Sequence, residues 1–170
     1  AVREYAEKKD TNDGFLLASP QRQVSSCMYA AAKSWANKVY DHGIAYEDVG
    51  TDANEDALDQ AVDEQAPLIS HLVRTILPSV DLEELRRVDS KYRGLLEVLH
   101  EYLTDFQDEK IILFSYFRGT LNYLQERLEK DGISCELLMG GLKESKQEII
   151  NRFRTSPNKR ILLCSEVASE

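Results

Sequence analysis

The sequence predicts an α/β fold in which a partial parallel sheet, three strands with crossover helices, follows an α-helical segment. Three observations carry that prediction. Short apolar runs recur in the last third of the chain, at Lys110–Ser115, Ser134–Leu138 and Arg160–Cys164. Between them the apolar residues change to helical spacing, first as Phe117, Leu121, Leu124 and Leu128, then as Ile149, Ile150 and Phe153. Glycines punctuate the changes, Gly132 after the first helical stretch and Gly140-Gly141 before the second. Strand, helix, strand, helix, strand is the sequence form of a parallel sheet.

Taken in order, residues 1–9 are compatible with a short helix that Asp10-Thr-Asn-Asp-Gly14 stops with turn-forming residues. Ser19-Pro20 is a suitable helix opening, with serine as cap and proline at the first helical position, where its missing N–H costs nothing. That helix is expected to run to about Tyr40, with Ser25, Ser26, Ala30, Ala31 and Ala32 allowing close packing and Trp35 as a core anchor. Residues 41–66 read as an acidic linker or mobile loop. No Lys or Arg occurs between Lys38 and Arg74, and the acids lack the spacing and glycine of a calcium loop. Residues 67–107 read as helices leading into the sheet. Leu68, Leu72, Val73, Ile76 and Leu77 form a short amphipathic stretch ended by Pro78, and Asp81 caps Leu82–Arg87. From Ser90, Tyr92, Leu95, Leu96, Leu99, Leu103 and Phe106 lay a wide apolar stripe toward the sheet. The run at Lys110–Ser115 reads as a strand buried on both faces.

The chain of 170 residues can build one ordinary domain, or a small domain with an appendage. A net charge of -9 taken alone argues against nucleic-acid binding, but the charge is unevenly distributed. Residues 1–108 carry 11 Lys and Arg against 21 Asp and Glu, a balance of -10, whereas residues 109–170 carry 10 against 9, a balance of +1. The sheet region is therefore free to present a local basic surface. Cys27, Cys135 and Cys164 are odd in number, widely spaced and set in apolar runs, which suits core thiols in a reducing compartment rather than disulfides or a zinc site. No apolar stretch approaches the ~20 residues of a membrane span, and Ala1-Val-Arg-Glu-Tyr5 lacks a signal-peptide core, so an intracellular location is expected.

Four blocks then occur in consistent order and spacing. They are Ser90-Lys91 opening a helix, Lys110-Ile-Ile-Leu-Phe-Ser-Tyr-Phe117, Leu138-Met-Gly-Gly-Leu142 with Gln147-Glu-Ile-Ile-Asn-Arg-Phe153, and Ile161-Leu-Leu-Cys-Ser-Glu-Val-Ala-Ser-Glu170. Together, over residues 90–170, they resemble the second RecA-like lobe of superfamily-two helicases, and most of all the Swi/Snf-type ATP-dependent DNA translocases, particularly bacterial ones. Residues 15–40 resemble the helical segment that such proteins place ahead of that lobe. The resemblance implies a partial second RecA-like lobe over residues 108–170, truncated within the family's fifth motif, in a cytoplasmic protein, or a nuclear one if eukaryotic. It implies ATP and magnesium as cofactors of the parent protein, with none bound by this chain alone. No GxxxxGK[ST] phosphate loop, no Asp-Glu pair ending an apolar strand and no sixth motif with its arginines occurs here, so the isolated chain is expected not to hydrolyse ATP. Catalytic and metal-binding residues are accordingly expected to be absent.

In an open parallel sheet, ligands gather at the carboxyl ends of the strands, here the loops 115–120, 139–143 and 165–169. The resemblance implies that these loops grip the backbone of double-stranded DNA without regard to sequence. Ser115, Thr120, Ser165 and Ser169 would supply hydroxyls, Gly140 and Gly141 close backbone approach, Arg118, Lys143 and Lys146 charge beside helix N-termini, with Tyr116 and Glu166 in the same loops. Lys91 is implied at the lobe interface or on the nucleic-acid path. Each has a plainer reading. Ser115 and Thr120 can cap the following helix, the glycines can serve a turn, the cations can be a solvated face, and Phe117 belongs with the core stripe.

The first RecA-like lobe of the parent is the implied partner, and a truncated sheet is expected to leave an edge or face uncovered and to self-associate. A competing reading is an interaction or regulatory protein in which the acidic front binds a partner and the helicase-like part is scaffold. An unrelated small α/β enzyme is disfavoured, because His42, His71 and His100 on separate segments form no nucleophile, base and orienter set.

Overall fold

The computed structural model describes residues 13–40, 68–140 and 144–165, and the chain divides into two compact units, Ala1–Arg87 and Val88–Glu170. In the first unit, helix α1 spans Asp13–Ser26 and α2 spans Met28–Tyr40. Residues 68–75 form α3, followed by a 3-10 turn at Leu77–Ser79 and α4 at Leu82–Arg87. In the second unit, α5 (Ser90–Asp105) precedes β1 (Ile111–Ser115), α6 (Arg118–Lys130), β2 (Cys135–Leu138), α7 (Lys146–Thr155) and β3 (Ile161–Ser165).

Three sequence expectations fail in the first unit, the first being that Asp13 and Gly14, read as turn residues, already lie in α1. Ser19-Pro20 does not open a helix, because α1 already runs from Asp13 and carries Pro20 inside it. Pro20 and Gln23 are buried in the α1–α2 packing, and that burial offsets the local penalty of about 3 kcal/mol for an interior proline. Nor is the helix to Tyr40 unbroken: it divides at Cys27. The Cys27 N–H still donates to the Gln23 carbonyl at 3.0 Å, and the Cys27 Sγ accepts from the Ala30 N–H at 3.4 Å, so the thiol caps α2. Trp35 is the anchor expected of it. It packs with Ala31, Leu68, Leu72 and Val73, and its Nε1 donates to Gln23 Oε1 at 2.7 Å. Asp81 caps α4 as expected, its Oδ1 accepting from the Glu84 N–H at 3.0 Å. The acidic stretch 41–66 lies outside the described residues.

The division between the two units falls at Arg87 and Val88 and gives α5 to the sheet's unit. Helix α5 opens at Ser90 as expected, and Asp89 caps it, its side chain accepting from the Tyr92 N–H. Tyr92, Leu95, Leu96, Leu99 and Leu103 enter the core as the stripe requires. Phe106 does not. It ends the helix, remains exposed and lies against Tyr102 with ring centroids 4.7 Å apart.

The sheet is parallel, in the order β1-β3-β2, a partial RecA-like arrangement. Register pairs Ile111, Leu113 and Ser115 with Ile161, Leu163 and Ser165, and Cys135 and Leu137 with Ile161 and Leu163. That face meets Tyr92, Leu99, Leu121 and Leu128 of α5 and α6. Leu138, Leu162 and Cys164 belong to the opposite face and pack on Ile149 and Phe153 of α7. Helix α6 ends as Gly132 predicts. Gly132 takes a positive φ of 76°, its N–H donates to the Glu129 carbonyl at 3.1 Å, and the Ile133 N–H donates to the Leu128 carbonyl at 2.8 Å. Strand β1 departs from the reading of two buried faces. Ile112 is 49% and Phe114 is 62% exposed, because β1 is an edge strand and α7 covers only its neighbours. Cys27, Cys135 and Cys164 form no disulfide, and all three are buried.

Candidate nucleic-acid interface

Parallel register places the candidate hydroxyls side by side. Ser115 closes β1 and Ser165 closes β3, and the two are direct partners in the ladder. Both lie on the face covered by α6, whose first residue, Arg118, follows the end of β1 by three positions. The N-cap of α6 is Phe117, which offers no capping side chain. The Ser115 Oγ instead accepts from the Phe117 N–H at 3.3 Å, one position too early to serve the helix's first free amides. The capping role considered for Ser115 is therefore not what its hydroxyl does. Thr120, also considered as a cap, lies within the first turn and is buried, with its N–H donating to the Phe117 carbonyl at 3.1 Å.

Ser165 is the most informative member. It is 4% exposed, and its Oγ has no hydrogen-bond partner among the described residues. A buried hydroxyl without a partner carries a penalty on the order of 1–3 kcal/mol. Next to it, on the opposite face of β3, burial pushes the Cys164 thiol up.

Gly140 follows β2 by two positions. A Cβ there would meet nothing within 4 Å, and its φ is not positive, so the turn itself does not demand glycine. Open space in front of the backbone is what close approach by a ligand requires. Lys146 stands at the first turn of α7, exposed, beside the Ser145 cap. Tyr116 is half-buried with its ring edge against Phe117, centroids 5.2 Å apart, and Phe117 is core. Gly141, Lys143, Glu166 and Ser169 lie outside the described residues.

Lys91 stands apart from this set. It occupies the first turn of α5, where the Tyr92 hydroxyl donates to Asp131 Oδ2 at 2.5 Å. Asp131 closes the end of α6 remote from Ser115, so the chain's path separates Lys91 from the strand-end loops. A polar cluster surrounds this contact that the sequence reading missed. Tyr123 donates to Asp89 Oδ2 at 2.7 Å, and the Arg127 guanidinium lies 4.0 Å from the Tyr92 ring centroid. Burial, then the Asp131 carboxylate, hold the Tyr92 phenol well above its ordinary range.

A second missed group is ionic. Glu136 stands in β2 among apolar residues, with its side chain 7% exposed, and pairs with Arg152 at 2.7 Å and Lys159 at 3.5 Å. The Arg152 hydrogen bond, helped by Lys159, holds the Glu136 carboxyl below its usual range against the opposing effect of burial. An acid inside a strand run is itself the signal that a cation must meet it. The Ser145-Lys-Gln-Glu148 capping box at the start of α7 was equally readable and equally missed; both of its reciprocal bonds form.

An α/β sheet with hydroxyls, an open glycine and helix N-termini at its strand ends defines the class of lobe. The sequence profile of the helicase conserved C-terminal domain matches residues 93–170. Transcription termination factor 2 of Drosophila melanogaster is 29% identical over an alignment of 134 positions that covers 74% of this chain. The chain spans only 12% of that protein's length. No solved structure matches.

Proposed function

We propose that this helicase C-terminal domain is the front of the second RecA-like lobe of a Swi/Snf-type, ATP-dependent DNA translocase, and that its part is to hold the phosphate backbone of double-stranded DNA at the strand carboxyl ends. The observation that carries the reading is the Ser115–Ser165 pair, with the Ser165 hydroxyl buried and unpartnered beside a helix whose N-terminus has no side-chain cap. Phosphate oxygens accept hydroxyl and amide donors and are drawn to helix N-termini. Ser115, Thr120, Gly140 and Ser165 provide such donors, and Arg118 and Lys146 add charge. Gly141, Lys143, Glu166 and Ser169 extend the same loops in sequence. Backbone contacts carry no base information, so binding is sequence-independent and weakens with salt.

This donor set suits phosphate oxygens and not a divalent cation: among the described residues no group of three or more His, Cys, Asp and Glu is placed to hold a metal ion. We assign ATP and magnesium, as the resemblance implies, to the parent protein's other parts, with this chain contributing one wall of the interlobe cleft and, lacking a GxxxxGK[ST] loop, no hydrolysis of its own. The first RecA-like lobe is the partner across that cleft, and Lys91 belongs to that boundary rather than to the strand-end track. The exposed Ile112 and Phe114 are the face through which the isolated chain self-associates.

Binding of a labelled ~30-base-pair duplex across a salt series tests the reading. The account expects weak binding at low salt, with a log-log slope reduced by about 1 when Lys146 becomes Glu. No binding at low salt, together with capture of a protein partner by residues 41–89, would instead establish the interaction protein.

A further inference from the structure

Arg152 projects from α7 and grips two carboxylates with one guanidinium. Its Nε and Nη2 donate to Glu136 Oε1 and Oε2 at 3.0 and 2.7 Å, and its Nη1 and Nη2 donate to Glu144, the latter at 3.0 Å. Glu136 lies in β2 and Glu144 immediately precedes the α7 cap Ser145. One side chain therefore joins the two ends of the β2–α7 connection, the one that carries Gly140 at its start and leads to Lys146 at its close. Lys159 reinforces the strand side, reaching Glu136 at 3.5 Å and donating to the Cys135 carbonyl at 3.1 Å.

We propose that Arg152 is a positioning residue, whose double fork ties the end of β2, beside Gly140, to the start of α7, beside Lys146, in the geometry that a phosphate backbone needs. The proposal rests on the phosphate-track reading above. Two carboxylates take four bonds from the planar guanidinium, and a lysine ammonium cannot bridge both in fork geometry. Packing alone does not call for such a group, since an apolar side chain at Glu136 would fill the same place in β2 without a buried charge. Arg152 is also spent on carboxylates, so it neutralises no phosphate itself, and its effect on DNA must pass through the connection it holds.

The test compares the full chain with Arg152→Lys and Glu144→Gln by amide hydrogen exchange and by duplex binding across salt. Exchange at Met139, Gly140 and Glu144 is expected to rise several-fold in both variants, while amides of β3 and α6 exchange as before. Duplex affinity is expected to fall several-fold with the salt slope unchanged, in contrast to Lys146→Glu. Unchanged exchange at those three amides overturns the proposal whether or not DNA binds. A slope reduced by about 1 also overturns it, by making Arg152 a direct phosphate contact. Exchange that rises as expected in a chain that binds no duplex at any salt keeps the device and rejects the DNA reading.

Discussion

The two faces of the sheet are finished to different degrees. Toward α5 and α6, eight buried residues from Tyr92 to Leu163 form one continuous core, and every strand contributes to it. Toward α7, burial covers Leu138, Leu162 and Cys164 and then stops, leaving Ile112 and Phe114 of β1 in the open. Strand β3 shows the contrast within one element, since all five of its residues are buried while its ladder partner β1 alternates. The difference teaches that α5 and α6 hold the unit together, whereas on the α7 side the apolar cover stops short of β1 and an ionic clasp ties α7 to β2 at the other edge.

The comparison breaks first at the core. Leu163→Ala should cost about 2–5 kcal/mol in chemical denaturation, because its site is fully enclosed on the α5–α6 side. Phe114→Ala on the other face should change stability by less than about 0.5 kcal/mol, as for an ordinary surface substitution. Equal losses at the two positions would show that Phe114 is covered after all. The ionic clasp comes next. Arg152→Ala leaves the Glu136 carboxylate with Lys159 alone and should lower the thermal midpoint at neutral pH, by less than Leu163→Ala does.

Its pH dependence has a definite sign. The folded carboxyl of Glu136 lies below its unfolded value, so its stabilisation is complete above the unfolded pKa of about 4.3 and is lost as pH falls through the lower folded value. Melting curves of Glu136→Gln should therefore lose part of the decline that wild type shows on acidification. A decline identical to wild type would place the acid sensitivity elsewhere. Smaller effects sit at the helix ends. Gly132→Ala forces a side chain into a positive φ and should cost about 1–2 kcal/mol, and Ser145→Ala removes half of the α7 capping box for about 1 kcal/mol.

Periodicity made the sheet region legible from sequence. Three apolar runs and two helical stripes placed all three strands, and Gly132 marked the end of α6 because few other residues suit a positive φ. The proline at position 20 misled, since its local preference for a first turn lost to packing between α1 and α2. The short run Lys110–Ser115 could not reveal its exposed face, because an apolar run reads alike whether one or both sides are covered. Of the candidate site, order of blocks in the sequence found Ser115 and Ser165, but only the register showed them as partners and only burial showed one hydroxyl without a bond. Arg152, Glu136 and Glu144 escaped because their pairing depends on the return of α7 across β2, a contact eight and sixteen residues apart that no helical spacing announces.

The central claim is that the Ser165 hydroxyl is kept for a ligand rather than for the fold, and Ser165→Ala tests it directly when stability and duplex binding are measured on the same protein. The account predicts denaturation unchanged or slightly improved, since a buried unpartnered group is removed, together with a clear loss of duplex affinity at low salt. A variant that binds DNA as wild type does, or that loses stability in step with affinity, would contradict it.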